Sequence, residues 1–459
     1  MNAPRQAIVI GAGISGLACA LRLRELGVGV RLLEAAENPG GVISTVQQDG
    51  FLFESGPQSF LLTPELRDLI RSVGLESEIL ETNAQTPRYV LRNGKLRLAP
   101  MSPPALLTTS LLSVGSKMRV FSEPFRRSEP APAPDESFAD FVRRKFGTEI
   151  LEYLAGPFVS GVFAGDPEKL SVRSAFPTMA QWEVEYGSVI RGAMRSRGSS
   201  DHVRPTLATL KRGVGSLLDA IAAKLGDSVS TSAAANSIAP TSTQTAAGGW
   251  TVHSSSAAQS SELSASAIVL ATPAYEVAKL LGPLGSAHLA PTLAGIPYAP
   301  VAVVAQAYRR EQVGHTLEGF GFLVPRTSKL RTLGVIWNSS LFPGRCPAGT
   351  VLMTSFLGGA MDPEIVKIDE TEIVAQLQED IGGLLQITHP PIAQRIWRHA
   401  RALPQYNLGH AQRVAAIRDE LSNLPGIFIA GNYLDGPSIG SCVAQAFQTA
   451  KGAAEYLAR

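Results

Sequence analysis

The sequence predicts an α/β protein made of a Rossmann-like nucleotide-binding domain, an α+β domain and a helical module. Three features predict it. Residues 6–41 read as a strand, a glycine-rich turn, a helix and a second strand. Apolar runs at 301–308, 321–324, 332–337 and 351–356 follow one another with turns between them, the pattern of a separate antiparallel sheet. Residues 99–200 read as mostly helical and irregular.

Each part of the opening unit has a physical task. Residues 7–10 are a short apolar run suited to a buried strand, and Gly11, Gly13 and Gly16 follow at G-x-G-x-x-G spacing. Gly11 permits the tight turn, Gly13 lets a pyrophosphate approach the backbone, and Gly16 lets the helix pack close to the strands. The pyrophosphate then meets a helix N-terminus, where free N–H groups and the dipole favour negative charge. Ala12, Ile14 and Ser15 lie among these glycines and belong to the same candidate cradle. A second strand, 28–33, ends at Glu34, followed by Ala35. A carboxylate there can accept hydrogen bonds from a ribose diol, which argues for an adenosine dinucleotide without a 2′-phosphate. Pro39-Gly40-Gly41 adds a second glycine pair just beyond. That pair resembles flavoproteins of the amine-oxidase type, where the chain folds back across the pyrophosphate, and it points to FAD rather than NAD.

Composition bounds the remaining readings. A length of 459 residues predicts two or three domains. With 45% hydrophobic and 17% charged residues, the chain has a large core or exposed apolar surface. A net charge of +2 carries no nucleic-acid footprint. The three cysteines, Cys19, Cys346 and Cys442, form neither a disulfide framework nor a zinc site, and no metal is expected; a reducing, cytoplasmic setting follows. The first apolar run is the glycine-rich unit rather than a signal peptide. The uncharged stretch 98–116 approaches the ~20 residues of a membrane span, but Pro100, Pro103 and Pro104 break it.

Further along, residues 51–60 read as a strand and a Gly-Pro turn, and Thr63-Pro64-Glu65 opens a helix with Thr63 as N-cap. Residues 89–98 form a hairpin about Asn93-Gly94. Arg126, Arg127, Arg143, Arg144 and Lys145 cluster around a proline-rich break at 130–134. They are either a solvated turn between helices or, with the two-faced segment 138–146, part of a membrane-facing module. Gly213 and Gly215 precede a helix at 216–225 and mark a connection back into the cofactor domain. Residues 228–266 have a disorder-like composition, yet Gly248-Gly249-Trp250-Thr251-Val252-His253 reads as a turn and a strand. A buried strand at 267–271, an amphipathic helix Glu370–Leu385, a last strand at 427–430 and a helix from about Ser441 to the end complete the chain. The division that follows is 1–85, 205–290 and 392–459 for a discontinuous FAD-binding domain, 86–98 and 291–391 for a substrate-binding domain, and 99–204 for the helical, membrane-binding module.

Several stretches then resemble one family. They are Glu54-Ser55-Gly56-Pro57-Gln58-Ser59-Phe60, Phe158-Val159-Ser160-Gly161-Val162-Phe163-Ala164-Gly165-Asp166, Leu170-Ser171-Val172-Arg173-Ser174-Ala175-Phe176-Pro177, Pro404-Gln405-Tyr406-Asn407-Leu408-Gly409-His410, and Ala430-Gly431-Asn432-Tyr433-Leu434-Asp435-Gly436-Pro437-Ser438-Ile439-Gly440-Ser441-Cys442. Together they are similar to the protoporphyrinogen oxidases, oxygen-dependent FAD enzymes of the amine-oxidase-like fold. The similarity runs almost from end to end. The first glycine motif is shared by many flavoproteins, whereas the segment at 161–166 is far more specific.

The resemblance implies non-covalent FAD and a six-electron oxidation of a porphyrinogen in three two-electron steps, with dioxygen as acceptor and hydrogen peroxide released, in haem biosynthesis. It implies flavin contacts at Val42, Gly56, Pro57, Gln58 and Ser59, and at Gly431, Asn432, Gly436, Ser438 and Ile439 in the C-terminal segment that closes over the flavin; Gly41 belongs with Val42, and Val229 lies by the adenine. For the substrate it implies Arg88, in Pro87-Arg88-Tyr89-Val90, as the partner of a propionate; a guanidinium fork suits a carboxylate, and the alternative is a surface ion pair. Gly161 turns its backbone to the tetrapyrrole, or is a plain turn. Leu323, Ile336 and Phe356 sandwich the rings, although periodicity alone makes them core. No catalytic residue is assigned: hydride passes to flavin N5, and Asp166, His410 and Tyr406 read as structural. Implied partners are the porphyrinogen and dioxygen, with peripheral contact to the inner face of the cell membrane, a second copy of the chain and a ferrochelatase as further candidates; no nucleic acid is expected.

Rival readings are a coproporphyrinogen III oxidase, whose four-propionate substrate calls for a second basic side chain, and a flavin amine oxidase, which often carries a lysine or an aromatic cage by the flavin. A phytoene-desaturase-like enzyme lacks the 161–166 segment, and intact substrate-side motifs argue against a non-enzymatic flavin-binding scaffold.

Overall fold

A computed structural model describes residues 6–83, 85–126, 135–196, 206–241, 249–256, 260–285 and 287–459. Its nucleotide-binding part is a five-stranded parallel sheet. The strand order is Val229–Ser230, Gly29–Leu33, Gln6–Ile10, Ala267–Leu270 and Ile427–Ile429. The central strands are apolar throughout because both faces are covered. Ala7 and Val9 face a layer of three helices, Ile14–Glu25, Gly215–Leu225 and Ile439–Ala458. Ile8 and Ile10 face the opposite layer, where a three-stranded antiparallel meander, Ala234–Pro240, Trp250–Ser255 and Ser260–Ala265, packs with helices Ala274–Leu281 and Leu289–Ala294. The strand expected after Gly249 is Trp250–Ser255; Gly248 itself lies outside the described residues.

The second sheet has seven strands in the order Ala393–Pro404, Tyr298–Arg309, Thr350–Gly358, Thr332–Ile336, Gly321–Leu323, Arg88–Arg92 and Lys95–Leu98. All four strands read between 301 and 356 are present, and the Asn93-Gly94 hairpin joins them. Those four strands are antiparallel to one another, as expected, and the hairpin is added through a parallel pairing of Gly321–Leu323 with Arg88–Arg92. No local turn connects those two strands, so nothing near them in sequence dictates their direction. Ala393–Pro404 escaped notice because it is an edge strand, with Arg395, Arg398 and Arg401 exposed along it. Edge strands commonly carry such charges to block further pairing. It pairs along Tyr298–Arg309. One face of the sheet, through Val304, Phe322, Val335 and Met353, packs on Ile373, Leu377 and Ile381 of the helix Glu370–Leu385. The other face is turned toward the nucleotide-binding part.

The helical module contains Pro103–Thr108, Val114–Ser122, Phe138–Lys145, Gly156–Phe163, Pro177–Tyr186 and Val189–Ser196. Thr148–Ile150 leads into Gly156–Phe163 through a π-helical turn at Leu151–Ala155. Among the described residues no helix is long and apolar enough to cross a membrane. Prolines are the reason in 98–116: Ser102 caps a short helix opened by Pro103, and Thr109 ends it.

Within the basic cluster, Arg144 and Lys145 are largely buried in ion pairs, while the Arg143 side chain stays exposed with its partners. Arg144 bridges Glu136 and Glu183, each at 2.6 Å, Lys145 reaches Glu183 at 2.5 Å, and Arg143 pairs with Asp140 and Glu168. Asp140 and Glu136 are near in sequence, but Glu168 and Glu183 come from 25 and 39 residues away, which a local reading of charge cannot see. Arg127 and 130–134 lie outside the described residues. Exposed apolar side chains are found instead at Leu98, Met101, Leu107, Val114, Met118 and Phe125, the last 88% exposed. Replacing Arg144 with Ala leaves two largely buried carboxylates without their guanidinium, and should lower the unfolding free energy by about 3–5 kcal/mol, read from urea denaturation of the purified protein.

Candidate active site

The cofactor crevice is built from close backbone contacts. Gly11 has φ +101°, and its N–H donates to Leu33 O at 2.8 Å. A Cβ on Gly16 would stand 1.8 Å from Gly11 O, so the helix seats on the turn only without a side chain there. Gly40 N–H donates to Ala12 O at 2.9 Å, and Gly41 lies against Gly13, within 3.7 Å of its Cα once a Cβ is added. The second glycine pair therefore folds back over the first turn. Glu34 Oε2 accepts from Ala12 N–H at 2.6 Å and Oε1 from Ala36 N–H at 2.8 Å. Both oxygens keep lone pairs for ribose hydroxyls. Val229 pairs with Leu32 on the neighbouring strand, two residues before Glu34; Ala35 is exposed beside it.

Val42 is 42% exposed despite being apolar, and Gly56 packs on its carbonyl, which a Cβ there would approach to 2.5 Å. Pro57 and Ser59 are partly buried beside Gly56. Gln58 is different, because its side chain is buried and already committed. Its amide donates to Gly56 O at 2.8 Å and its Oε1 accepts from Asn338 Nδ2 at 2.6 Å. Gln58 therefore ties the crevice to the second sheet. His399 adds a second tie, with Nε2 2.9 Å from Ser55 O.

The C-terminal segment closes the other side. Gly431 N–H donates to Gln445 Oε1 at 2.9 Å, Asn432 is partly buried next to it, and Gly436 has φ +137°. Ser438 caps the helix Ile439–Ala458 by accepting from Ser441 N–H at 3.1 Å, with Ile439 buried as the first helical residue. Ile14 and Leu17 of the first helix share one apolar core with Ile439 and Cys442 of the last, and burial pushes the Cys442 thiol up to about 11. That packing joins the first turns of two helices, so two sets of free N–H groups and two positive dipole ends meet at one place. Thr272 Oγ1 is buried without a partner, and the Thr272 methyl would stand 2.9 Å from a Cβ on Gly11. Sequence reading missed Thr272. Its place at the carboxyl end of Ala267–Leu270, beside the first strand, is where open α/β sheets bind ligands, and that rule could have found it.

On the free face of the second sheet, pairing register decides which side chains share a side. Arg88 stands opposite Gly321, Gly321 opposite Ile336, and Ile336 opposite Thr354. Two residues along, Leu323, Gly334 and Phe356 are aligned in the same way. With period two, Arg88, Leu323, Ile336 and Phe356 all project from one face. Each apolar member is the partly exposed residue among buried neighbours in its strand, as expected of a slot wall rather than a sealed core. Gly161 arrives on this face from the helix Gly156–Phe163, so close that a Cβ would lie 2.5 Å from Leu323 Cδ2. Arg88 stacks over Phe320 at 5.2 Å, has Met101 Sδ as a weak contact at 3.9 Å, and forms no ion pair among the described residues. Burial lowers its pKa, because the half-buried guanidinium has lost part of its hydration.

Asp166 accepts from Glu168 N–H at 3.0 Å and shapes its own turn. Burial holds His410 at about 4, neutral and stacked on Tyr406 at 4.3 Å. Tyr406 is pushed well above the usual phenol range by burial. Among the described residues no group of His, Cys, Asp and Glu could hold a metal ion.

The chain matches the flavin-containing amine oxidoreductase family over residues 14–458. It belongs to that family. It is accordingly an FAD-dependent oxidoreductase, and the glycine cradle, the Glu34 carboxylate, the paired helix ends and the orphaned Thr272 hydroxyl fit that cofactor. This oxidoreductase is 34% identical to a chloroplastic protoporphyrinogen oxidase of Nicotiana tabacum, across 98% of its own length and 86% of the relative's. It is 29% identical to a coproporphyrinogen III oxidase of Bacillus subtilis (strain 168), across 99% and 98% of the two chains. A crystal structure provisionally assigned as a protoporphyrinogen oxidase from Exiguobacterium sp. 255-15 superposes with a TM-score of 0.84 over all of both chains, at 24% identity. That likeness establishes the amine-oxidase-type fold, with its two mixed α/β parts.

Gly16→Ala gives the sharpest test of the cradle. Its methyl has no room against Gly11 O, and overpacking of about 1–3 kcal/mol should weaken FAD retention roughly fivefold or more. The flavin-to-protein absorbance ratio after gel filtration reads the loss.

Proposed function

We propose that this flavoenzyme oxidises protoporphyrinogen IX to protoporphyrin IX. Six hydrogens leave the macrocycle, and three dioxygen molecules become three of hydrogen peroxide. Arg88 carries the reading: a half-buried guanidinium with no carboxylate partner among the described residues, on the same sheet face as Leu323, Ile336 and Phe356. A flat, greasy macrocycle bearing propionates fits such a face, with one charge for anchoring and apolar walls for orientation.

Bound FAD supplies the two-electron acceptor. The chain's own residues supply position. Arg88 holds a propionate by charge-assisted hydrogen bonds. Leu323, Ile336 and Phe356 grip the ring faces and exclude water. Gly161, lacking a side chain, lets its helix close on Leu323 and so sets where that wall of the slot stands. Holding a methylene carbon at a fixed place and angle is the main service a hydride transfer needs from its protein. No side chain described in the slot is placed as a general base, and the substrate's own nitrogens or water serve for proton loss.

The relatives' names keep coproporphyrinogen III in view. The aligned positions Val90, Gly321, Gly334 and Thr354 beside Arg88 are uncharged. A four-propionate substrate calls for further cations, and Arg97, opposite Val90, is exposed on the same face; the higher identity to the protoporphyrinogen oxidase, 34% against 29%, favours protoporphyrinogen. Anaerobic mixing with each porphyrinogen decides: the flavin band should bleach faster with protoporphyrinogen IX, and a flavin that stays oxidised with both removes the reading. Arg88→Ala should weaken substrate binding by roughly 1.5–3 kcal/mol with FAD retained, seen as a raised KM; an unchanged KM removes Arg88 from the site.

We also place the protein peripherally on the inner face of the membrane, where an insoluble porphyrin is passed to a ferrochelatase. Support comes from the exposed Leu107, Val114, Met118 and Phe125 of the helical module. The protein should float with liposomes, and the triple change Val114→Ser, Met118→Ser, Phe125→Ser should return it to the soluble fraction. Identical flotation of both sinks this placement.

A further inference from the structure

The segment Pro404-Gln405-Tyr406 belongs to neither the cofactor cradle nor the slot wall, yet it touches supports of both. Gln405 is 2% exposed, and its Nε2 donates to Phe163 O at 2.9 Å, the last carbonyl of the helix that carries Gly161. The same nitrogen donates to Leu403 O at 3.1 Å. Its Oε1 is buried without a hydrogen-bond donor and lies against Gly165, where a Cβ would come within 2.9 Å. A carbonyl left unsatisfied in such a place is held there by the rest of the packing.

Tyr406, 1% exposed, reaches the other way. Its hydroxyl donates to Asn432 O at 2.5 Å and accepts from Gly436 N–H at 2.8 Å. Those two residues bracket the loop 432–436 in front of the helix Ile439–Ala458. Its ring contacts Phe163 at 6.3 Å and stacks on the neutral His410, and its carbonyl accepts from Ser171 N–H at 2.8 Å. Burial keeps the phenol protonated, so the hydroxyl retains one proton to give and lone pairs to receive.

We infer that Gln405 and Tyr406 are positioning residues that form a strut between the two halves of the reaction: Gln405 sets the helix bearing Gly161 against the slot, and Tyr406 sets the Gly436 loop against the flavin. The inference rests on the proposed function for where flavin and porphyrinogen lie. It predicts a division of labour between neighbours that bulk stability alone cannot produce. The Tyr406 hydroxyl acts on the flavin side, and so on the rate at which bound substrate reduces it. The Gln405 amide acts on the slot, and so on binding.

The test compares Tyr406→Phe and Gln405→Leu as purified holoenzymes beside the parent, by stopped-flow anaerobic reduction with protoporphyrinogen IX and by flavin midpoint potential. Tyr406→Phe should keep KM and lower the limiting rate of flavin reduction by about tenfold, with a displaced potential, since a buried amide loses its acceptor. Gln405→Leu should raise KM severalfold with the limiting rate and potential kept. Two variants that only melt earlier, with parental constants and potential in the holoenzyme that survives, overturn the inference. So does the same mixed effect from both. If Tyr406→Phe does not accumulate with flavin, a Gln405→Leu enzyme with unchanged KM overturns it alone. If the parent is not reduced by porphyrinogen, the proposed function fails. The potential of Tyr406→Phe, which needs no porphyrinogen, then still decides the flavin half: displaced supports it, parental removes it.

Discussion

Backbone must meet backbone without side chains between them where the first strand turns into its helix, and much of the structure depends on that approach. Gly16 seats on Gly11 O, Gly41 lies on Gly13, and Gly40 bonds to Ala12. The result is a concave surface of peptide N–H groups at a helix start, where a pyrophosphate gains hydrogen bonds and a favourable dipole together. The C-terminal helix brings its own first turn to the same place, where Ile439 and Cys442 pack with Ile14 and Leu17. A chain end more than 400 residues away in sequence thus completes a site begun at residue 11.

The second constraint is registry between two sheets that share no strand. Gln58 and His399 cross the gap: one binds Asn338 beside Thr354 on the slot face, the other the carbonyl of Ser55. Such short polar ties fix distance and angle in a way apolar contacts do not. Burial makes them costly to break, since each lost partner leaves an unsatisfied group. An oxidase that must hold a carbon at a set distance from its acceptor needs that kind of rigidity more than it needs extra stability.

What could be read from the chain divides by the range of the forces involved. The glycine turn, the Thr63 cap, the Asn93-Gly94 hairpin and the helix Glu370–Leu385 depend on neighbours within a few residues, and all are present. The parallel pairing of Arg88–Arg92 with Gly321–Leu323 depends on partners far apart in sequence and left no local trace. Charge misled twice in opposite senses. Arginines on Ala393–Pro404 hid a strand, and Arg143, Arg144 and Lys145 suggested a surface that their carboxylate partners take up. In the slot, periodicity correctly marked Leu323, Ile336 and Phe356 as strand residues; their partial exposure was visible only once the register of four strands was known. Gln58 was legible as a position near the crevice but not as a tie, because its partner lies 280 residues away.

The π-helical turn at Leu151–Ala155 sits one turn and a half ahead of Gly161. Such a turn holds one residue more than regular helix and so rotates everything downstream by about 100°. Delete that residue and the helix reverts to ordinary winding, with a bulkier neighbour of Gly161 swung toward Leu323. The placement of the slot wall is therefore written partly as a count of residues, independent of which side chains occupy them.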